Sequence, residues 1–302
     1  MNMWTTADPA SIKAANVSLP GFIKPIFVYS PTPIASPIVF SFPHSGRKYS
    51  NYFQQQSQLS LTDLRSSEDA FVDELFPVSA LDTACFVRAL FPRAWVDANR
   101  HPQALDPDMF FGKLAPNPHQ FSKQVLAGLG VIPKIVAFHQ KIYQHRLPTS
   151  EIEQRLATTH TPYHQALSQA LAQARERFGW ALLVDCHSMP SVCAIETASG
   201  PADVVLGDRH GTSCDPRVIS AVLQAFERQN LKIVQNLPYA GGYSILRHGR
   251  PSQNIHALQI ELSRDLYMNE KTIEKHHGFG PLQTKLTHIM HSLEQIAKTF
   301  HV

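Results

Sequence analysis

The chain alternates short apolar runs with longer amphipathic stretches. Residues 37–43, 84–90, 94–98, 181–186, 203–207, 231–236 and 256–262 are apolar, which predicts strands. Residues 67–79, 150–178, 216–228 and 270–299 are predicted as helices. Phe71, Val72, Leu75 and Phe76 share one face of the first, and Leu167, Leu171, Ala174 and Phe178 one stripe of the second. Val218, Ile219, Val222, Leu223 and Phe226 do the same in the third. Pro162 should break or restart the second helix. Strands alternating with helices predict an α/β fold, a three-layer α/β/α arrangement around a mixed, largely parallel central sheet. The runs at 37–43 and 181–186 are nearly all apolar, as strands covered on both faces should be. Residues 101–135 are dense in Pro and Gly, which predicts long loops of the kind that carry function. Residues 1–35 are rich in Pro, Ser and Thr and predict an irregular lead-in. Without internal repeats or a low-complexity linker, residues 36–302 read as a single domain.

Several apolar runs lead straight into chemically active side chains. The run in SPIVFSFPHSG delivers His44, the run Ala181–Val184 delivers Asp185 and His187, and HALQIELSRD carries Glu261. Open α/β sheets bind ligands beyond the carboxyl ends of their strands, so these side chains are expected to share one site. Two imidazoles and a carboxylate suit Zn²⁺ with a position left open for water, and other divalent ions fit the same ligands. Glu261 is costly to bury in an apolar strand without a partner or role, and another carboxylate near such a metal can act as base towards its water. Asp185 lies two positions before His187, on the same side of the strand, where it can orient the imidazole. The third ligand is sought in Arg65-Ser66-Ser67-Glu68-Asp69, where either acid qualifies. Ser67 is also a good helix cap, and acids suit a first helical turn on their own account. His164, after Pro162, either supports the site or lies on the helix surface.

Composition narrows the class. Apolar content of 43% and charged content of 17% over 302 residues describe an ordinary globular protein. A net charge of +3 without a run of Lys and Arg argues against a nucleic-acid partner. The four cysteines form no CxxC pair, which argues for buried reduced thiols rather than a zinc knuckle. The start MNMWTTADPASIK lacks the pattern of a signal peptide, and no apolar run approaches the ~20 residues of a membrane span. A cytoplasmic location is therefore expected. The GxSxG elbow of serine hydrolases is missing.

The order of motifs resembles the N-formylglutamate amidohydrolase family. The matching segments are PHSG at 43–46, SEDAFVDELF at 67–76, VDANRHP at 96–102, PYHQAL at 162–167 and LLVDCHSMP at 182–190. DVVLGDRHGTSCDP at 203–216, GGYSILRHGRP at 241–251 and HALQIELSRDLYMNE at 256–270 continue the series. The resemblance implies a phosphorylase/hydrolase-like fold related to carboxypeptidases, with one zinc ion per chain. It implies hydrolysis of a small molecule, N-formyl-L-glutamate, to formate and L-glutamate, late in histidine catabolism. Carried over, His44 and His187 would be metal ligands, Asp69 the acidic ligand ahead of Glu68, and Glu261 the general base. Two carboxylates on the leaving glutamate call for two guanidinium groups from Arg100, Arg209, Arg247, Arg250 and Arg264. Arg100 and Arg250 match the family pattern, and Arg100 is also expected to act in catalysis. Tyr243 is a candidate hydrogen-bond donor to substrate. The loop GDRHGTSC departs from a GTNxGxSC-like form, which makes Asp208 and Arg209 candidate determinants of the acyl-amino acid accepted. The alternatives are a deacylase for another N-acyl amino acid, a zinc carboxypeptidase-like peptidase, and a non-catalytic ligand-binding relative.

Overall fold

The computed structural model describes residues 24–300, with seven strands paired into one central sheet. They are β1 (Ile26–Tyr29), β2 (Ile38–Phe42), β3 (Cys85–Ala89), β4 (Ala181–Met189), β5 (Val204–Gly207), β6 (Ile233–Gln235) and β7 (Ile255–Ser263). Their order is β1-β3-β2-β4-β7-β5-β6. β1 runs antiparallel to β3 and β5 antiparallel to β7, while the other neighbours are parallel. The sheet is thus mixed and largely parallel, as predicted.

Each face of the sheet has its own core. Ile38, Phe40 and Phe42 of β2, with Leu182, Val184 and Cys186 of β4, pack among α2 (Pro216–Glu227) and α4 (Phe279–Thr299). Val39, Leu183 and Ala257 face the other way, onto α1 (Thr161–Phe178) and residues from the 91–147 segment. Asp215 caps α2 by accepting from Arg217 N, and Pro216 follows where no N–H is needed. Pro162 restarts its helix rather than breaking it. A π-helical turn, Leu156–His160, carries the short helix Ser150–Arg155 into α1, and Pro162 falls in the first turn of α1. α3 (Tyr243–His248) sits in the loop before β7. Among the described residues, no helix is long and apolar enough to cross a membrane.

Three predicted elements come out differently. Residues 94–98 form a turn rather than a strand: Trp95 N bonds to Pro92 O, and Asp97 N to Val131 O. The helix predicted over 67–79 is reduced to one turn, Val72–Leu75, and a 3-10 turn at Val78–Ala80. The last helix begins at Phe279, because Met268–Asn269 pairs with Glu274–Lys275 in a small hairpin. The first 23 residues of the expected lead-in, and residues 301–302, lie outside the described part; the remainder of the lead-in contains β1.

Candidate metal centre

The polar residues of β4 and β7 are inside the strands, not beyond their ends. β4 continues to Met189, so Asp185 and His187 point to one face while Cys186 points to the other. Register places Glu261 beside His187 and Gln259 beside Asp185, and Ser41 of β2 beside Asp185 on the other flank. One face of three adjacent strands therefore changes from apolar (Val39, Leu183, Ala257) to polar in its last third. That change is what interrupts the apolar runs in the sequence.

His44 leaves β2 on the Pro43–Gly46 turn, which is pressed onto the chain after β3. A Cβ at Gly46 would lie 2.0 Å from Phe91 O, and Lys48 N bonds to Leu90 O at 3.0 Å. Gly46→Ala is expected to cost about 1–3 kcal/mol of overpacking and to shift His44. Thermal unfolding and a metal titration of the variant check this together.

Asp69 is held by the same turn. Its N–H donates to His44 O at 3.1 Å, and Ser45 Oγ donates to Asp69 O at 3.2 Å. These bonds replace the helical ones expected here, and Phe71 takes a left-handed φ of 64° before the single helical turn starts. A bulky residue adopts that conformation only when its surroundings enforce it.

One ligand atom from each of His44, Asp69 and His187 converges within 4.8 Å, and all three residues are buried. Asp69 Oδ2 lies 3.2 Å from His44 Nδ1 and 3.0 Å from His187 Nδ1; the two Nδ1 atoms are 3.1 Å apart. Each imidazole is held from behind by a carboxylate. His44 Nε2 donates to Asp97 Oδ1 at 2.7 Å, and His187 Nε2 donates to Asp185 Oδ2 at 2.9 Å. Such partners fix the tautomer that leaves Nδ1 free to ligate. Asp185 is itself tied to Ser41 Oγ (2.6 Å), which contacts Tyr163 Oη at 2.7 Å. Asp69 Oδ1 accepts from Ser188 Oγ and Arg264 Nη2, each at 3.2 Å, which leaves Oδ2 for the convergence point. The donor set fits a divalent ion: three ligand atoms face one point, and every back atom is satisfied.

Charge in this buried site is strongly organised. Burial opposes the Asp69 charge, yet hydrogen bonds from His187 and His44 hold its carboxyl well below the usual range. Burial likewise opposes a charged His187, but Asp185 and Asp69 hold it well above the ordinary imidazole value. Asp97 stays ionised against burial because of Arg93 first, then His44 and Arg100. Glu261 is pushed up to about 7, mainly by burial; His187 opposes the rise and Asp69 adds to it.

The sequence reading missed Asp97, Asn99, Gln259 and Arg93. Gln259 Nε2 donates to Glu261 Oε1 at 2.8 Å, while Gln259 Oε1 accepts from Gly242 N at 2.9 Å. Asn99 Oδ1 accepts from Ser244 N at 2.8 Å, and a Cβ at Gly242 would lie 2.3 Å from the Asn99 amide. The glycine pair before α3 thus admits Asn99 into the site. Asp97 carried a usable signal, an acid inside an apolar run like Asp185. Asp97→Asn is expected to weaken metal binding about 10- to 100-fold by unsettling His44. A competition titration against a chelator measures this directly.

Several predicted contacts fall elsewhere. Glu68 turns away to Tyr49 and Arg65, so the acid at the convergence point is Asp69. Arg100 spends Nε on Leu129 O and Nη1 on Asn99 O, both at 3.0 Å. Yet it is largely buried, with Nε 3.9 Å from Asp97, and feels the charge of Glu261, so it borders the site. Arg250 is exposed and pairs its backbone with Ile255, at the start of β7. Glu261 is six residues further along the strand, roughly 20 Å away, so Arg250 is not at this site. Asp208 is occupied by Gly211 N of its own loop and by Asn236 Nδ2 and Gln235 Nε2 at the end of β6. Arg209 packs over Gly241, on the loop leading to α3. Tyr243 stands between the rings of His101 and His164 and accepts from Arg247 at 2.8 Å. His164 is buried, donating through Nε2 to Ala98 O, so it supports the VDAN turn from behind.

A two-histidine, one-carboxylate donor set beside a glutamate on an α/β sheet is the arrangement of a metal-dependent hydrolase. The chain belongs to the N-formylglutamate amidohydrolase family, whose model matches residues 36–268. It is similar to an N-formylglutamate deformylase of Pseudomonas putida, 30% identical over 241 residues, covering 78% of this chain and 82% of the relative. The N-formylglutamate deformylase of Pseudomonas aeruginosa is 34% identical over 150 residues, a match that spans 48% of this chain and little more than half (56%) of that relative. The crystal structure of an N-formylglutamate amidohydrolase from Ralstonia eutropha JMP134 superposes with a TM-score of 0.83 at 33% identity. That match covers 91% of this chain and 97% of the other.

Proposed function

We propose that this protein hydrolyses N-formyl-L-glutamate to formate and L-glutamate, with one zinc ion held by His44, Asp69 and His187. The observation that carries the reading is the convergence of those three ligand atoms within 4.8 Å, with Glu261 on the neighbouring strand position. Family membership supplies the substrate. The loop departure at Asp208 does not argue for another acyl-amino acid, because its carboxylate is spent on Gly211 N and on the end of β6.

When bound, zinc supplies Lewis acidity towards the formyl oxygen and makes water acidic enough to ionise near neutral pH. Glu261 takes one proton from the attacking water as its oxygen bonds to the formyl carbon. As the C–N bond breaks, the same proton passes from Glu261 to the leaving nitrogen. Gln259 holds the carboxyl of Glu261 in place for both transfers. Asp97 and Asp185 keep the two imidazoles in the ligating tautomer. The reaction is read as a late step of histidine breakdown in the cytoplasm.

The test is formate release from N-formyl-L-glutamate by zinc-loaded protein, run beside N-acetyl-L-glutamate, N-formyl-L-alanine and a dipeptide. Preference for the formylated glutamate supports the reading; preference for the dipeptide sinks it in favour of a peptidase.

A further inference from the structure

We propose that Tyr163 is a positioning residue of the metal centre, acting through Ser41 and Asp185 to fix the imidazole of His187. The inference rests on the metal reading of the site and not on which acyl-amino acid is cleaved. A chain of hydrogen bonds joins the phenol to the ligand. Tyr163 Oη meets Ser41 Oγ at 2.7 Å, and Ser41 Oγ donates to Asp185 Oδ1 at 2.6 Å. His187 Nε2 donates to Asp185 Oδ2 at 2.9 Å. Tyr163, Ser41 and Asp185 are each 0% exposed, so water does not stand in for a lost partner.

The chemistry of the groups sets the direction of the chain. An ionised carboxylate only accepts, so Ser41 gives its single proton to Asp185. Ser41 must then accept, and the Tyr163 phenol is the donor that starts the chain. Burial first, and the charge of Asp185 next, hold that phenol well above its ordinary value, which keeps its proton in place. With His187 Nε2–H donating from the other side, every proton points at Asp185. The tautomer this leaves to His187 turns a bare Nδ1 towards Asp69 and His44. A hydroxyl that accepts becomes a stronger donor. Loss of the phenol therefore weakens the bond from Ser41 to Asp185 and frees Ser41 to rotate.

Three elements build this chain. Ser41 is the polar position in β2, and register sets it beside Asp185 of β4. Tyr163 comes from the first turn of α1, directly after the π-helical turn Leu156–His160. A π-helical turn takes in an extra residue and so rotates the face that the following helix presents; such turns are frequent at functional sites. Here α1 presents Tyr163 to Ser41 and its neighbour His164 to Ala98 O.

The experiment measures zinc affinity by competition against a chelator for wild type, Tyr163→Phe, Ser41→Ala and the double variant. Circular dichroism and melting temperature of the metal-free proteins are recorded alongside, to separate a folding defect from a loss of affinity. Ser41→Ala should lower affinity about tenfold or more, as removal of an outer partner of a metal ligand does. Tyr163→Phe keeps the ring and acts from further out, so a loss of about three- to tenfold is expected. In the Ser41→Ala background, Tyr163→Phe should lower affinity no further, since a group acting only through Ser41 has nothing left to act on. Equal zinc affinity in Tyr163→Phe and wild type overturns the proposal; a lowered melting temperature beside it makes the hydroxyl structural alone. Losses that multiply in the double variant overturn it too, because Tyr163 then reaches the site by another route. A wild type that takes up no zinc removes the metal reading itself, and this proposal falls with it.

Discussion

His187→Ala is expected to abolish metal retention and, with it, formate release. His187 Nδ1 faces Asp69 Oδ2 at 3.0 Å and His44 Nδ1 at 3.1 Å, so its loss leaves two ligand atoms where three converge. Losing a supporting partner of a ligand already costs about 10- to 100-fold in affinity, and losing the ligand itself should cost more. Activity should fall by at least about 10³-fold, because the Lewis acid is worth several kcal/mol of barrier. The variant also leaves the buried Asp185 carboxylate without its imidazole, although Ser41 still donates to it. Some loss of stability is therefore expected, and circular dichroism separates it from loss of the site. Metal analysis after dialysis, with formate release assayed before and after zinc is restored, measures the rest. A folded His187→Ala protein that keeps one equivalent of zinc and its activity would remove His187 from the ligand set.

The parts of the fold legible in the sequence are those dictated by local burial. β2, β4 and β7 stand out because strands covered on both faces must be apolar, and α2 because its apolar stripe and Asp215-Pro216 start agree. Residues 67–79 and 94–98 mislead because distant partners hold their backbones. Asp69 N is bound to His44 O, and Asp97 N to Val131 O. A periodicity argument sees only neighbours along the chain. The same limit governs the site. His44, His187 and Glu261 announce themselves as polar breaks in apolar runs, and register then brings Glu261 beside His187. Asn99, Gln259 and Arg93 give no such signal, since their roles come from a glycine turn, a strand neighbour and a shared carboxylate. Arg250 fails for the converse reason. It looks like a site residue by motif, but the chain returns to the start of β7 before delivering Glu261.

Glu261→Gln should retain zinc and substrate binding while losing about 10²- to 10⁴-fold in kcat, the usual worth of a positioned general base. The substitution keeps the shape of the side chain and leaves His44, Asp69 and His187 untouched. The pH profile carries the sharper test. Burial first, with Asp69 adding and His187 opposing, pushes the Glu261 carboxyl up to about 7. A base works only when deprotonated, so kcat/KM should rise with pH and level off above that value. A cation bound at the ligand set favours the carboxylate, so in the zinc-loaded enzyme the rise should fall at or below about 7. In Glu261→Gln the residual rate should lose the part of this limb that the Glu261 carboxyl contributes, leaving only the ionisation of metal-activated water. Metal content, KM and the pH dependence of both proteins, measured on N-formyl-L-glutamate, decide the matter. A glutamine variant with near-wild-type kcat would assign the proton transfers to another residue.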